Sequence, residues 1–282
     1  GTIGYQARYK GQTVIDTSWL SIDFYDAPVL DRELLIKEVQ QNTHNSSWEP
    51  VWGEDARITD QYNEHVYLIE EREAPYRQLA LSFRVYNEGF AFRYHFPAQQ
   101  AMDSVIISNE YSEFRMTGDH TTWWIPADYD SYEYLYTESL LSKVDGTKPV
   151  GEALASKSII NPYAVNTPVT MRTEEGIYLS IHEANLTNYS GMTLRVEEDK
   201  RTLTSELVPN AQGHKVVTQV PFSTPWRMVQ LAEQPGDLVE SHMILNLNEP
   251  SVIEDPSWIS PMKYMGIWWE MHLGKSTWYA GD

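Results

Sequence analysis

Apolar and polar residues alternate with a period of two along most of the chain, the signature of β-strands with one buried face. The clearest case is "LALSFRVY" (79–86), with Leu79, Leu81, Phe83 and Val85 on one face, followed by "NEG" and then "FAFRYHF" (90–96), with Phe90, Phe92, Tyr94 and Phe96 on one face. Two alternating runs joined by a short link ending in glycine predict a β-hairpin, with Gly89 at positive φ. The same logic predicts strands in "VIDTSWLSIDF", "HVYLIEER", "VIISNEYSEFRM", "PVTMRTEEGIYLSIHEA", "MTLRVEED", "TLTSELV", "HKVVTQVPF", "WRMVQLAE" and "SHMILNLNE". "DRELLIKEVQQ" (31–41) is compatible with a short helix but reads better as a strand. Many short strands separated by polar turns predict an all-β fold, a large antiparallel sandwich.

One strand poses a question. In "GIYLSIHEANLTNYSGM" (176–192), Ile177, Leu179 and Ile181 share the apolar face, and Glu183 comes next on that same face, beside His182. A carboxylate left unpaired there would be costly, so it needs a hydrogen-bonding partner, a cation or water at the strand end.

The pattern changes near residue 250. "LNEPSVIEDPSWISPMKY" carries three prolines and reads as a linker. A continuous apolar run then spans Tyr264 to Trp269, which suits a strand buried on both faces, as in a parallel barrel. A lone barrel strand cannot bury itself, so the chain reads as the front part of a longer polypeptide.

Composition narrows the function classes. The 282 residues carry 40 Asp and Glu against 21 Lys and Arg, a formal net charge of −19, which argues against nucleic acid as a partner. Cysteine is absent, which excludes disulfides, thiolate metal sites and cysteine nucleophiles. No apolar run reaches the length of a membrane-spanning helix, so no membrane partner is expected. The chain begins "GTIGYQ", without Met, and reads as a mature or trimmed product. Ten Trp and 18 Tyr outnumber seven Phe, and such amphipathic aromatics serve either core packing or sugar stacking.

No phosphate loop, dinucleotide fingerprint or zinc-protease motif occurs. Carboxylates are plentiful, and glycoside hydrolysis needs two of them flanking one bond, but spacing alone cannot pair them. In "SWEPVWGEDARITDQYNE" (47–64), Trp48 and Trp52 are expected to pack on the sheet. "TTWWIPADYDSYEYLY" (121–136) reads as a strand edge with aromatic cross-strand pairs, or as a sugar platform. Arg227 in "FSTPWR" reads as a structural salt-bridge residue.

Taken together and in order, "WEPVWGE" (48–54), "YNE" (62–64), "FRVYNEGFAFRYHF" (83–96), "TWWIPADYDSYEYLY" (122–136), "TPVTM" (167–171), "SIHEANLTNYSGM" (180–192), "FSTPWR" (222–227) and "LNEPSVIEDPSWISPMKYMGIWWEMHLG" (247–274) resemble glycoside hydrolase family 97 over nearly the whole chain. The resemblance implies a galactose-mutarotase-like β-super-sandwich over residues 1–255. Residues 256–282 would be the linker and the first strand of a catalytic (β/α)8 barrel, "GIWWEMHLG", truncated here. It also implies an exo-acting α-glucosidase or α-galactosidase, periplasmic or secreted, with a calcium ion (Ca2+) in its active site. The family's sandwich domain supplies one glutamate ligand to that ion, and the matching position is Glu183. The other ligands and the catalytic carboxylates would lie in the barrel, so no catalytic residue is assigned in this chain. His182, Trp268 and Glu270 stand as candidate substrate-binding residues. The implied partners are an oligosaccharide or glycoside substrate and the remainder of the same polypeptide.

Two other readings stay open. One is a stand-alone carbohydrate-binding β-sandwich without catalysis. The other is a mutarotase-type epimerase, which would need a His acid and a Glu base facing one sugar. His182 and Glu183 are adjacent in a strand and point to opposite faces, so they cannot share that role.

Overall fold

The computed structural model describes residues 1–148, 158–264 and 268–277. Its first nine strands are β1 (Ile3–Tyr9), β2 (Gln12–Phe24), β3 (Leu34–Trp48), β4 (Ile58–Glu71), β5 (Gln78–Tyr86), β6 (Gly89–Phe96), β7 (Ser104–Met116), β8 (Thr121–Trp124) and β9 (Thr137–Leu140). The later ones are β10 (Ala164–Asn166), β11 (Val169–Arg172), β12 (Tyr178–Ala184), β13 (Met192–Val196), β14 (Thr202–Leu207), β15 (Val216–Gln219), β16 (Phe222–Ser223) and β17 (Trp226–Ala232).

They form two antiparallel sheets. The smaller has seven strands in the order β1-β2-β7-β14-β13-β10, with β15 also on β7. The larger has ten, in the order β3-β4-β5-β6-β17-β12-β11-β8-β9, with β16 also on β6. The inward side chains of both sheets make one continuous core, from Ile15, Leu20 and Ile22 through Phe92, Phe96 and Phe114 to Leu179, Ile181, Leu194 and Val229. A second, smaller cluster lies on the outer face of the larger sheet. There Trp226, Met228, Ala91 and Ala184 pack against Met243 and Leu247. This is the two-layer sandwich that the period-two pattern predicts.

The β5–β6 hairpin forms in the expected register, with Val85 opposite Phe90, Phe83 opposite Phe92 and Leu81 opposite Tyr94. Gly89 has φ 150°, and a Cβ there would sit 2.1 Å from the Val229 carbonyl oxygen. Only glycine lets β6 approach β17 so closely. "DRELLIKEVQQ" enters β3, as the strand reading expects.

Three expectations are corrected. "SHMILNLNE" is not a strand: it holds α2 (Met243–Asn246), after α1 (Pro235–Glu240). α2 buries Met243 and Asn246, and its C-cap Leu247, one helical turn after Met243, is buried with them, whereas Leu245 is exposed. Trp48 hydrogen-bonds through Nε1 to Asn246 Oδ1 at 2.9 Å, but both Trp48 and Trp52 are exposed rather than buried against the sheet. Within "GIWWEMHLG", Trp268–His272 forms a helical turn, α3, rather than a strand. Residues 265–267 of that apolar run lie outside the described residues. A strand is held by ladder bonds from its neighbours, and none of the described strands pairs with 268–272. A helical turn satisfies backbone groups from within the segment itself. The preceding residues 256–264 run largely exposed, with Trp258, Met262 and Tyr264 in solvent.

Candidate functional site

Two strands end their inward faces on charged residues, and a third carries one partway along its inward face. On β12 the buried series Leu179, Ile181 continues to Glu183. On β17, Leu231 and Val229 lead back to Arg227, which lies opposite Glu183 in the sheet. On β7 of the other sheet, Met116, Phe114 and Ser112 lead back to Glu110. The two sheets therefore meet here through a buried ion cluster instead of apolar side chains.

Arg227 is the centre of the cluster. Its Nε and Nη2 donate to the two carboxylate oxygens of Glu110 at 2.7 and 2.8 Å, a bidentate pair, and its Nη1 donates to Glu183 Oε2 at 2.6 Å. Glu110 also accepts from Ser112 Oγ at 2.8 Å and from the Tyr189 hydroxyl at 2.9 Å. The Met192 backbone N–H donates to Glu183 Oε1 at 2.9 Å. Glu110 and Arg227 are 0% exposed, while Glu183 is 8% exposed and sits at the rim. Burial would raise the Glu110 carboxyl, but the charge and hydrogen bonds of Arg227 overcome this and hold it below the usual carboxylate range. Burial opposes the charge on Arg227 too, and Glu110 overcomes it, so the guanidinium pKa is pushed up. Tyr189 is pushed well up by burial and by the Glu110 charge, and it stays a neutral donor.

The parity question of the sequence is answered here: the partner of Glu183 is Arg227. The salt-bridge role expected of Arg227 is also met, with two carboxylates instead of one. Two carboxylates against one guanidinium leave one formal negative charge, and Glu183 is the member that reaches the surface.

His182 lies on the opposite face of β12, as its parity requires. Its Nδ1 is 3.0 Å from Thr167 Oγ1, whose own proton goes to the Met192 carbonyl at 3.3 Å. This assigns the ring proton to Nδ1 and leaves Nε2 as an acceptor. Burial lowers the His182 pKa, against the opposing pull of the Glu183 charge. Tyr132 donates to the Thr167 carbonyl at 3.2 Å, and its hydroxyl pKa is raised by burial and then by the Glu183 charge, which places it near the rim of the cluster. Tyr132 and Tyr136 are both exposed. Glu183, His182 and the Tyr132 loop are thus brought together. Trp268 and Glu270 are exposed on α3, and the hydrogen bonds described for Glu110, Glu183 and Arg227 all go to other residues. Glu110, the most buried acid of the site, reads in the sequence as one carboxylate among many. Stepping back in twos from Phe114 and Met116 would have marked it.

No group of three or more metal-ligating side chains occurs among the described residues. Calcium takes six to eight oxygens. Each Glu183 oxygen accepts one protein hydrogen bond and keeps acceptor capacity. The residues present therefore fit one contributing ligand, not a complete calcium site.

The chain was compared with known proteins. Residues 1–250 match the family model described as Glycosyl-hydrolase 97 N-terminal. The chain is 24% identical over 265 residues to a retaining alpha-galactosidase of Bacteroides thetaiotaomicron, covering 78% of this chain and 37% of that protein. Among solved structures, a Glycoside Hydrolase Family 97 enzyme from a Pseudoalteromonas species, in complex with acarbose, is 34% identical with a TM-score of 0.88, covering all of this chain and 40% of that one. A complex of a family 97 enzyme from that source with panose superposes with a TM-score of 0.86, again at 34% identity over 100% of this chain and 40% of that one. A beta-arabinopyranosidase at 19% identity and a TM-score of 0.67, over 82% of this chain and 37% of that one, shares the fold alone. The chain therefore spans well under half the length of the relatives it matches, and it belongs to glycoside hydrolase family 97, matching that family's N-terminal domain over residues 1–250.

Proposed function

We propose that this chain is the N-terminal part of an exo-acting α-glycosidase that hydrolyses terminal α-linked glucose or galactose, and that Glu183 is one ligand of its calcium ion. The supporting observation is the uncompensated negative charge of the Glu110–Arg227–Glu183 cluster, presented at the surface by Glu183 alone. The relatives are glycoside hydrolases, and two solved ones hold oligosaccharides.

In this reading the sandwich ends near residue 255, and residues 256–282 lead into a barrel that carries the remaining ligands and the catalytic carboxylates. Calcium, when bound, would supply a fixed positive charge to a sugar oxygen or a water. The residues of this chain hold Glu183 in place: Arg227 and the Met192 N–H fix its two oxygens, and Glu110 fixes Arg227. His182 Nε2 and the Tyr132 ring stand beside it as candidate sugar contacts. An exported location, periplasmic or secreted, belongs to the same reading and is checked by cell fractionation.

The test uses the intact enzyme. Glu183→Gln should weaken calcium binding, measured directly by titration calorimetry, and lower activity with it. Unchanged calcium affinity would remove Glu183 from the metal site. A stand-alone carbohydrate-binding module is favoured only by the exposed Tyr132 and Tyr136. Millimolar binding of maltose or melibiose to residues 1–282 alone would support that module instead.

A further inference from the structure

β2 departs from a regular ladder at one place, and an indole stands there. Its pairing with β7 shifts between Asp16 and Leu20, and its pairing with β1 shifts beside it, between Tyr5 and Ala7. A bulge re-aims the side chains it carries. Here Ser18 is 0% exposed, while Trp19 is 48% exposed on the outer face of the smaller sheet. Ser18 Oγ donates to the Asp16 carbonyl and accepts from the Arg115 N–H, both at 2.9 Å. The Trp19 backbone N–H donates to Glu113 Oε2 at 2.9 Å. Trp19 lies opposite Gly4 of β1, and a Cβ on Gly4 would meet Cε3 and Cζ3 of the indole at 2.8 and 2.9 Å. The ring therefore leans over β1, into the space that a side chain on Gly4 would fill. It keeps one face down on the strand and turns the other to solvent.

Polar groups of both kinds border the ring. Gln6, the next outward residue of β1 after Gly4, donates through Nε2 to Asp16 Oδ1 at 3.4 Å. On the β7 side, Glu113 Oε2 holds the Trp19 N–H and Oε1 keeps its acceptor capacity. The Arg115 side chain is 40% exposed and comes no closer than 4.0 Å to the Asp199 carboxylate. A flat apolar ring edged by carboxylate, guanidinium and amide groups suits a ligand with a flat C–H face and hydroxyls around its edge. A pyranose has that shape. A protein partner would need roughly 1,000 Å² of complementary surface, and one indole ringed by charges does not offer it. A purely apolar ligand would strip those charges of water without replacing their hydrogen bonds. An anion would face Asp16 and Glu113.

We propose that Trp19 is a platform that stacks a pyranose ring of an α-linked polysaccharide. The site lies on the outer face of the smaller sheet, apart from Glu183, which faces inward on β12 of the larger one. Glu113, Arg115 and Gln6 would hydrogen-bond the hydroxyls of the ring. The bulge, the Glu113 clamp and Gly4 fix the indole before the sugar arrives, which removes part of the ordering cost of binding. The face is open beside the ring, with Gln6 and Thr17 exposed, so it suits an internal sugar of a chain. Holding the polymer there raises the local concentration of its chain ends at an exo-acting active site. The choice of sugar rests on the glycosidase reading above.

Affinity electrophoresis of the intact enzyme tests this, in native gels containing soluble starch or guar galactomannan. The two gels tell an α-glucan from an α-galactosyl polymer, and the wild type should be retarded in one of them. Trp19→Ala should raise the apparent Kd for that polymer by about tenfold. It should leave kcat and KM on a p-nitrophenyl α-glycoside unchanged. Gly4→Ala keeps the indole but puts a methyl group in its place over β1, so it should weaken retardation too. Retardation equal to the wild type in either variant would overturn the proposal, as would a wild type that neither gel retards. So would a parallel loss of retardation and of p-nitrophenyl glycoside turnover in Trp19→Ala, since Trp19 would then act through the active site. Failure of the glycosidase reading shows differently, as a wild type that turns over neither the p-nitrophenyl α-glucoside nor the α-galactoside.

Discussion

Two regions of the sandwich invert the usual relation between chemistry and exposure. In one, three charged side chains are buried; in the other, a groove beside β1 floored by Phe83 and Val85, aliphatic and aromatic side chains stand open to solvent. The buried groups are hydrogen-bonded within the cluster, and one negative charge is left over at its rim, on Glu183. Arg227 makes three hydrogen bonds to two carboxylates, and Glu110 accepts from four donor atoms. The open groove is incomplete, with an unpaired backbone edge and half-exposed floor residues. The two regions therefore lack different things: the cluster lacks one compensating charge at its rim, and the groove lacks burial and backbone pairing. Removing one member of a satisfied buried cluster is expensive, whereas altering an uncovered apolar residue is nearly free.

The sharpest way to break this contrast is Arg227→Met. It leaves two carboxylates facing each other without a cation, and it should cost about 3–5 kcal/mol in urea unfolding. A loss below about 1 kcal/mol would show that the cluster is hydrated and not sealed. Acid comes next. The Glu110 carboxyl is held below its ordinary value of 4.5, so the unfolded state takes up the proton first as pH falls. Its contribution is fully present above about pH 4.5 and is lost as pH falls through the lowered folded value. Stability should decline in that window, and Glu110→Gln should flatten the decline; an unchanged acid limb would assign the loss to other carboxylates. The smallest effect lies in the other region. Val85→Thr on the open floor should change stability by less than about 0.5 kcal/mol, by the same urea measurement. A much larger loss would mean that the floor is covered in solution.

The sequence discloses the two regions unequally. Period-two alternation carries the strands, their inward faces and the β5–β6 register, because each is a local property. Glu183 was visible by the same parity, two residues beyond Ile181. Glu110 is legible only when the count runs back from Met116 and Phe114, because β7 is irregular: Ile107 and Glu110 both face inward although they are three positions apart, and the register with β2 shifts between Asp23 and Phe24. Counting forward from Ile107 points to Asn109 and Tyr111, the wrong residues. Met243 and Leu247 lie four apart in a segment too short to show a helical period, so α2 reads as a strand. The groove is illegible for a different reason. Alternation tells which face of a strand is buried, but not whether another strand lies across from it.

The ion cluster also bears on the time course of folding. Arg227 is 117 residues from Glu110 and 44 from Glu183, while the β5–β6 hairpin closes across Asn87 and Glu88. Closing long loops costs entropy before their contacts repay it, so local hairpins precede the cluster. A contact made after the barrier contributes nothing to its height from the unfolded side and all of its strength from the folded side. Arg227 should therefore act as a latch: its loss should speed unfolding in a stopped-flow chevron and leave the refolding arm nearly unmoved.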